Sequence, residues 1–416
     1  MVARIASLVL MTGLLLPAKA VAGDPILDWI KITNDTVLAT GTTPLVTSRN
    51  TGLVGAAIFD AVNGIEKRYD PLIVDKYTGT HASARAAAIE AAYTMLLALY
   101  PARKADLDSH RAASLAEISS GADSPKEIAA GSLYGAQVAN AIFTARSTDG
   151  FAPAPASFRG FEADGVWRPT TAGPTGYGAG PQFVTMTPWV LIRPSQFRLA
   201  PPNALTSAQY AADYDETRRD GSSTGTDTAK QNVATFWNGN TALFWNRIAL
   251  DVLSSRNLSL VETAHLFGVL NVTMADAALA CWDSKYRYQL WRPVTAVNLS
   301  VPAGSIYGAA DPTWKQFLPV TPAHPEYPSG HSTLSGAAAH VLGAILGDDT
   351  PFQIDSETMP GTVKHFSAFS DALHEIHNAR VWGGIHWRTA CLLGSKLGED
   401  VANWVMANAM KDHGDH

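Results

Sequence analysis

Cysteine is nearly absent from this chain of 416 residues, which carries only Cys281 and Cys391. A disulfide-stapled framework is therefore excluded, and at most one bridge can form. Charge of one sign is lacking too. The net charge is −6, so nothing points to nucleic acid or an anionic membrane surface as a partner. Alternating β-branched runs are scarce, and no fixed-period repeat or low-complexity tract is visible. Beyond the N-terminus no stretch reads as an apolar run of the roughly 18–20 residues that spans a bilayer, so no membrane span is expected.

What is there begins with a processing signal. Residues 1–22 combine Arg4, an apolar run from Ile5 to Pro17, and small-residue cleavage sites at Ala18-Lys-Ala20 or Ala20-Val-Ala22. That is the composition of a signal peptide, and the run is shorter than a membrane anchor. The chain is expected to be periplasmic or secreted. Residues 23–416 then suffice for one large core or two packed sub-bundles. In an oxidising compartment Cys281 and Cys391 either pair or remain as two buried thiols.

Helical patterns dominate this remainder. Leu27–Ala39, Thr51–Ile65, Ser83–Tyr100 and Pro125–Arg146 are rich in Ala, Leu, Ile and Met, with Pro101 and Pro125 placed as first-turn residues. Residues 147–204 break the pattern with Gly, Pro and the aromatics Phe151, Phe158, Phe161, Trp167, Tyr177, Trp189 and Phe197. So long a connection belongs to a lid or a wrapping loop, and its aromatics are read first as staples onto a core. Helix resumes at Ser207–Thr217, Thr228–Trp237, Thr241–Ser254 and Leu260–Leu290, the last ended by Pro293. Apolar stripes follow after His331 and from Leu393 to Val405. The expected fold is all-α, with a site built between helices of a bundle.

Three short segments carry the chemistry. In the first, Lys285 to Pro293, Lys285 and Arg292 lie seven residues apart. Seven residues make two helical turns, so they share one face about 10 Å apart, together with Trp282 and Gln289. Such a pair taken alone is more often a solvated surface pair. The second is Pro328-Ser329-Gly330-His331 before a helical stripe. It offers a hydroxyl, a backbone amide at a helix start and an imidazole, or else an ordinary serine cap. In the third, Arg380 and His386 flank Gly383-Gly384, so that Arg380 closes one helix and His386 opens the next. An arginine fork binds two oxyanion oxygens at once, and a neutral imidazole can attack phosphorus or ligate a metal oxoanion. Together the three segments suit a tetrahedral oxyanion.

The order Lys-x6-Arg-Pro, Pro-Ser-Gly-His, Arg-x5-His resembles the vanadium-dependent haloperoxidases and the type 2 phosphatidic-acid phosphatase superfamily. Ile26–Trp29, Ala57–Asn63, Met274–Ala277 and Trp282–Lys285 resemble its secreted bacterial haloperoxidase-like branch, across most of residues 23–416. The resemblance implies two packed four-helix-bundle-like halves in a single helical domain with the Gly/Pro-rich segment as a wrapping loop. The catalytic half would lie at about 206–411. It also implies vanadate as cofactor with His386 as its metal ligand, or His386 as the phosphorylated residue of a phosphatase that needs no cofactor. His331 becomes the acid–base. Lys285, Arg292, Ser329, Gly330 and Arg380 hold the oxyanion oxygens, with Lys285 also assisting catalysis. Trp282 and His324 belong to the halide or substrate pocket. His324, seven residues before His331, stands where algal bromoperoxidases carry histidine and fungal chloroperoxidases an aromatic, which points to bromide or iodide; a loop-capping histidine is the other reading. Two positions depart from the family pattern: Ala390 where many members have an acidic residue, and Ala379 where serine is common.

The expected function is a haloperoxidase using hydrogen peroxide, halide and a small organic acceptor. A periplasmic acid phosphatase working through a phosphohistidine is the alternative, and a non-catalytic oxyanion-binding protein the third reading. A metal hydrolase on His374, His377 and His386 lacks a completing carboxylate. A homo-oligomer is compatible with this sequence, which does not fix the state.

Overall fold

The computed structural model describes residues 23–74, 77–153, 157–170, 177–299 and 310–413. The expected leader at residues 1–22 lies outside them. Among the described residues there are thirteen α-helices and one antiparallel hairpin. The first half holds α1 (Pro25–Thr40), α2 (Pro44–Glu66), α3 (Ala84–Leu99), α4 (Lys104–Ser119) and α5 (Pro125–Ala145). Their starts follow from local chemistry. Asp24 and Ser83 cap α1 and α3, while Ser124 and Glu127 form a reciprocal capping box on α5.

The second half holds α6 (Ala208–Asp220), α7 (Thr228–Phe236), α8 (Thr241–Leu253), α9 (Leu260–Tyr288), α10 (Pro293–Leu299), α11 (Gly330–Leu346), α12 (Phe369–Trp382) and α13 (Arg388–Asn408). Between α11 and α12 sit β1 (Phe352–Asp355) and β2 (Val363–Phe366), in register with Phe352 opposite Phe366. Helices α2, α3 and α5 pack together in one bundle, and α9, α11, α12 and α13 in the other. The two meet along α2 and α9, and one continuous apolar core runs through both. By length and composition α9 could cross a membrane, which the sequence reading did not recognise, but 94% of its apolar window is buried inside the protein. It is the central core helix shared by the two bundles.

Three further features differ from expectation. Helix α4 was invisible because it is a surface helix: only Leu107 and Ile118 are buried, too few for an apolar stripe. The hairpin strands, four residues each, were equally silent. The third difference bears on the site. Helix α9 stops at Tyr288, where Gln289 turns left-handed (φ 51°) and its amide caps Lys285 O. Arg292 therefore leaves the helix. It shares no helical face with Lys285, and Pro293 opens α10 rather than ending α9.

The wrapping segment is clamped by buried acids. Asp276 accepts three consecutive amides, those of Trp189, Val190 and Leu191, at 2.7–2.9 Å. Asp60 on α2 likewise accepts from Leu72, Ile73 and Val74, in the separate connection that follows that helix, at 2.8–2.9 Å. Asp283 holds Arg198 in a bidentate pair at 2.7 Å. Most of the segment's aromatics are staples, as expected: Phe158 stacks on buried Trp167 and Phe197 meets Trp404 edge-on, whereas Phe161 is exposed. Toward the C-terminus, Asp412 pairs with Arg68 and His413 with Asp70, which ties this segment down as far as His413.

Candidate active site

Local packing brings the three distant segments together. Helix α11 crosses α13 with almost no gap, since a Cβ on Gly398 would meet Thr333 O at 2.1 Å. That approach seats the start of α11 beside the start of α13, and Ser329 N donates to Ala390 O at 3.0 Å. After α12, Gly384 takes φ +73°, where a side chain would strike Gly221 O at 2.2 Å. This tight turn returns the chain so that His386 lies in the connection just ahead of α13, rather than on the helix itself.

Trp282, His324, Gly330, His331, Arg380 and His386 line one cavity of about 420 Å3. The two motif histidines thus share a cavity. Lys285, Arg292 and Ser329 sit directly behind its wall, all fully buried. Arg292 is gripped by main-chain oxygens: Nε donates to His324 O at 2.9 Å, one terminal nitrogen to Ile385 O at 2.8 Å, the other to Pro322 O at 3.1 Å. Its NH1 also lies 3.2 Å from His386 Nε2, and its NH2 2.9 Å from His324 Nδ1. Lys285 Nζ donates to the carbonyls of Pro325, Glu326 and Pro328. Arg380 gives one donor to Trp237 O at 3.1 Å, while its buried Nε has no partner.

The electrostatics are those of a charged site awaiting an anion. Burial lowers Lys285 to about 7, Arg292 to about 9 and Arg380 to about 10. Among the described residues none of the three is salt-bridged to a carboxylate; the acidic side chain in the site, Glu326, accepts a hydrogen bond from His386 at 2.8 Å. Three buried cations without counter-ions are costly unless a ligand supplies the charge. Burial also holds His324, His331 and His386 well below the ordinary imidazole range, so all three are neutral near pH 7. A tetrahedral oxyanion fits this donor set, with the unpartnered Arg380 Nε and the wall at Gly330 left free to receive it. A Cβ on Gly330 would meet the Trp282 ring at 3.3 Å, a close contact that leaves the wall there tight against the ring.

Some details depart from the sequence reading. The Ser329 hydroxyl caps α11, accepting from Ser332 N at 3.3 Å and Ser332 Oγ at 3.1 Å. That role leaves its own hydrogen available to donate. Trp282 donates to Ala179 O at 2.9 Å, and its ring lies 4.9 Å from His324. His324 therefore faces the cavity, with its Nδ1 also lying 3.1 Å from Pro325 O within its own turn. The cavity also has an apolar side, lined by Leu45, Phe183 and Leu334. His374 and His377 line a different groove from His386, and among the described residues no cluster of His, Cys, Asp and Glu can hold a metal ion. Cys281 and Cys391 are free and buried.

Glu326 was not picked out from the sequence. It is fully buried, and its Oε1 accepts from His386 Nδ1 at 2.8 Å and from Trp387 N at 3.0 Å. A lone glutamate between Pro325 and Tyr327, immediately before the Pro-Ser-Gly-His segment, was the available signal. The carbonyls of Gly239 and Trp237 were beyond reach, because main-chain groups leave no mark on sequence. His331 Nε2 donates to Gly239 O at 3.0 Å.

The structure is thus an all-helical, two-bundle protein that encloses three buried basic side chains beside three neutral histidines. Residues 265–414 match the family model described as the VCPO second helical-bundle domain. The vanadium chloroperoxidase of Curvularia inaequalis is 22% identical over 263 residues, 46% of this chain and 42% of that enzyme; the match thus spans less than half of the curated relative. Among solved structures, the first bacterial vanadium-dependent iodoperoxidase superposes with a TM-score of 0.80 at 26% identity, covering 95% of this chain and 99% of that one. A bacterial vanadium-dependent chloroperoxidase gives 0.69 at 20% identity, covering 86% and 92%. The chain belongs to the vanadium haloperoxidase superfamily.

Proposed function

We propose that this protein is a vanadate-dependent haloperoxidase that oxidises bromide or iodide with hydrogen peroxide and acts on a small organic acceptor. The observation that carries the reading is the pairing of three uncompensated buried cations with a neutral His386 beside them. Lys285, Arg292, Arg380, the Gly330 amide and the Ser329 hydroxyl would hold vanadate oxygens, and His386 would ligate the metal. Bound vanadate supplies the centre at which peroxide becomes able to oxidise a halide. The chain's own residues neutralise the oxyanion, keep it from bulk water and move protons. His331 Nε2 donates to a carbonyl, which leaves Nδ1 as the lone-pair nitrogen able to take up a proton.

Support for bromide or iodide comes from His324 at the cavity wall and from the structural likeness to an iodoperoxidase. Export to the periplasm or medium is part of the same proposal and rests on the composition of residues 1–22. The phosphatase reading draws on the same observation, since a neutral histidine beside buried cations can also attack phosphorus.

One experiment separates the readings. The purified protein is assayed with and without vanadate, for bromination and iodination with peroxide and for hydrolysis of an aryl phosphate. Halogenation that requires vanadate and disappears in His386→Ala supports the proposal. Hydrolysis without vanadate, and inhibited by it, transfers the assignment to phosphatase. Vanadate binding with neither activity leaves an oxyanion-binding protein.

A further inference from the structure

We propose that Glu326 is the positioning residue that fixes which nitrogen of His386 meets the oxyanion. The inference rests on the reading of His386 as the residue that contacts the bound anion, and it concerns the imidazole's orientation and tautomer. Two contacts define them. An arginine can only donate, so Arg292 NH1, 3.2 Å from His386 Nε2, requires a lone pair on Nε2. The proton of the neutral ring then lies on Nδ1, where Glu326 Oε1 accepts it at 2.8 Å.

The same Oε1 accepts from Trp387 N at 3.0 Å, the residue adjoining His386. One carboxylate oxygen thus ties the ring and the following backbone together, fixing the ring's rotation as well as its proton. The arrangement does not depend on the charge of Glu326. With two donors already on Oε1, a proton taken up by the carboxyl sits on Oε2, which is buried and has no partner. In either state Oε1 remains the acceptor.

Glu326 comes from the connection that leads into α11, whereas His386 precedes α13. The carboxylate therefore links two of the three motif segments directly. Ala390, in the first turn of α13, borders the same small void as Glu326 and has no group that could perform this task. Partners of this kind, behind a ligating histidine, affect affinity by about 10–100-fold when removed.

The test uses the protein labelled with 15N-histidine, without vanadate, with His386→Gln to assign the signals. In the wild type at pH 7.5 His386 is expected to show a protonated Nδ1 and an unprotonated Nε2. Glu326→Gln keeps an acceptor oxygen and should preserve this state, while Glu326→Ala should mix or invert it. Vanadate and inorganic phosphate titrated by calorimetry should bind about 10–100-fold more weakly to Glu326→Ala, and within roughly threefold of wild type to Glu326→Gln. A wild-type proton found on Nε2 overturns the proposal without any variant. An unchanged tautomer and affinity in a folded Glu326→Ala protein overturn it as well. If Glu326→Ala does not fold, the wild-type and Glu326→Gln spectra decide. Absence of halogenation in a protein with the expected tautomer would sink the haloperoxidase reading alone.

Discussion

Arg292 NH1 points at His386 Nε2 from 3.2 Å, so a buried guanidinium and the imidazole lone pair are in direct contact within the site. The guanidinium is anchored through its Nε and both terminal nitrogens on carbonyls of residues 322, 324 and 385. It is therefore fixed in place before any ligand arrives, and electrostatic preorganisation is the property that such chemistry needs. Arg292→Lys keeps the charge but cannot span three carbonyls and the imidazole at once. Vanadate affinity measured by calorimetry is expected to fall at least tenfold, with a lower melting temperature from the lost main-chain contacts. Unchanged vanadate affinity would show that charge alone matters at this position.

Lys285 makes the site sensitive to pH. Burial brings its pKa to about 7, from an ordinary value of 10.5, while three carbonyls around Nζ favour the charged form. The sign of the effect follows from proton binding. Between about 7 and 10.5 the unfolded chain holds this proton and the ligand-free fold releases it, so stability without ligand gains from Lys285 as pH rises through that window. Anion binding runs the other way, because it uses the ammonium form. Phosphate affinity should weaken from pH 6 to pH 9 in the wild type, and Lys285→Met should flatten the profile while binding weakly throughout. Equal slopes in both proteins would remove Lys285 from the anion's shell.

Much of this site could be read from sequence because its side chains announce themselves by type and order. Lys285, Arg292, Gly330, His331, Arg380 and His386 do converge, although the reason given for the first pair was wrong. A continuous helix through Arg292 was inferred from periodicity, and only the left-handed turn at Gln289 tells otherwise. A non-glycine residue in that conformation has no sequence signature. The helices with apolar stripes were legible in the same way, whereas α4, with two buried residues, was not. Glu326 was overlooked because an isolated glutamate is exposed far more often than buried. Its value appears only once His386 is placed beside it.

The clamp at Asp276 should matter more for stability than for chemistry. Its carboxylate satisfies three amides of residues 189–191 and carries the wrapping segment onto α9. Asp276→Ala leaves those donors without an acceptor in a buried place, at a cost on the order of 3 kcal/mol or more. Urea titration should show a clearly lower midpoint, and limited proteolysis should cut first within residues 177–204. Wild-type stability in this variant would mean that the segment is held by its aromatic staples instead.

The wrapping segment also lines the cavity, where Ala179, Gly180 and Phe183 join Leu45 and Leu334. Phe183 is buried and its ring lies 6.4 Å from Trp282, so it narrows the apolar side without touching the cations. A cavity of about 420 Å3 is within the range that encloses a small organic molecule. If the acceptor is halogenated inside it, Phe183→Ala should raise KM for a naphthol-sized acceptor about tenfold. Oxidation of iodide to triiodide, which needs only the cationic site, should stay within roughly twofold of wild type. Removing roughly 55 Å2 of apolar contact accounts for a change of that order, at some 25 cal/mol per Å2. The competing picture has the oxidised halogen leaving the cavity and reacting in bulk water. In that case the variant would leave both KM and product distribution unaltered, and the apolar side would be a diffusion path rather than a binding site.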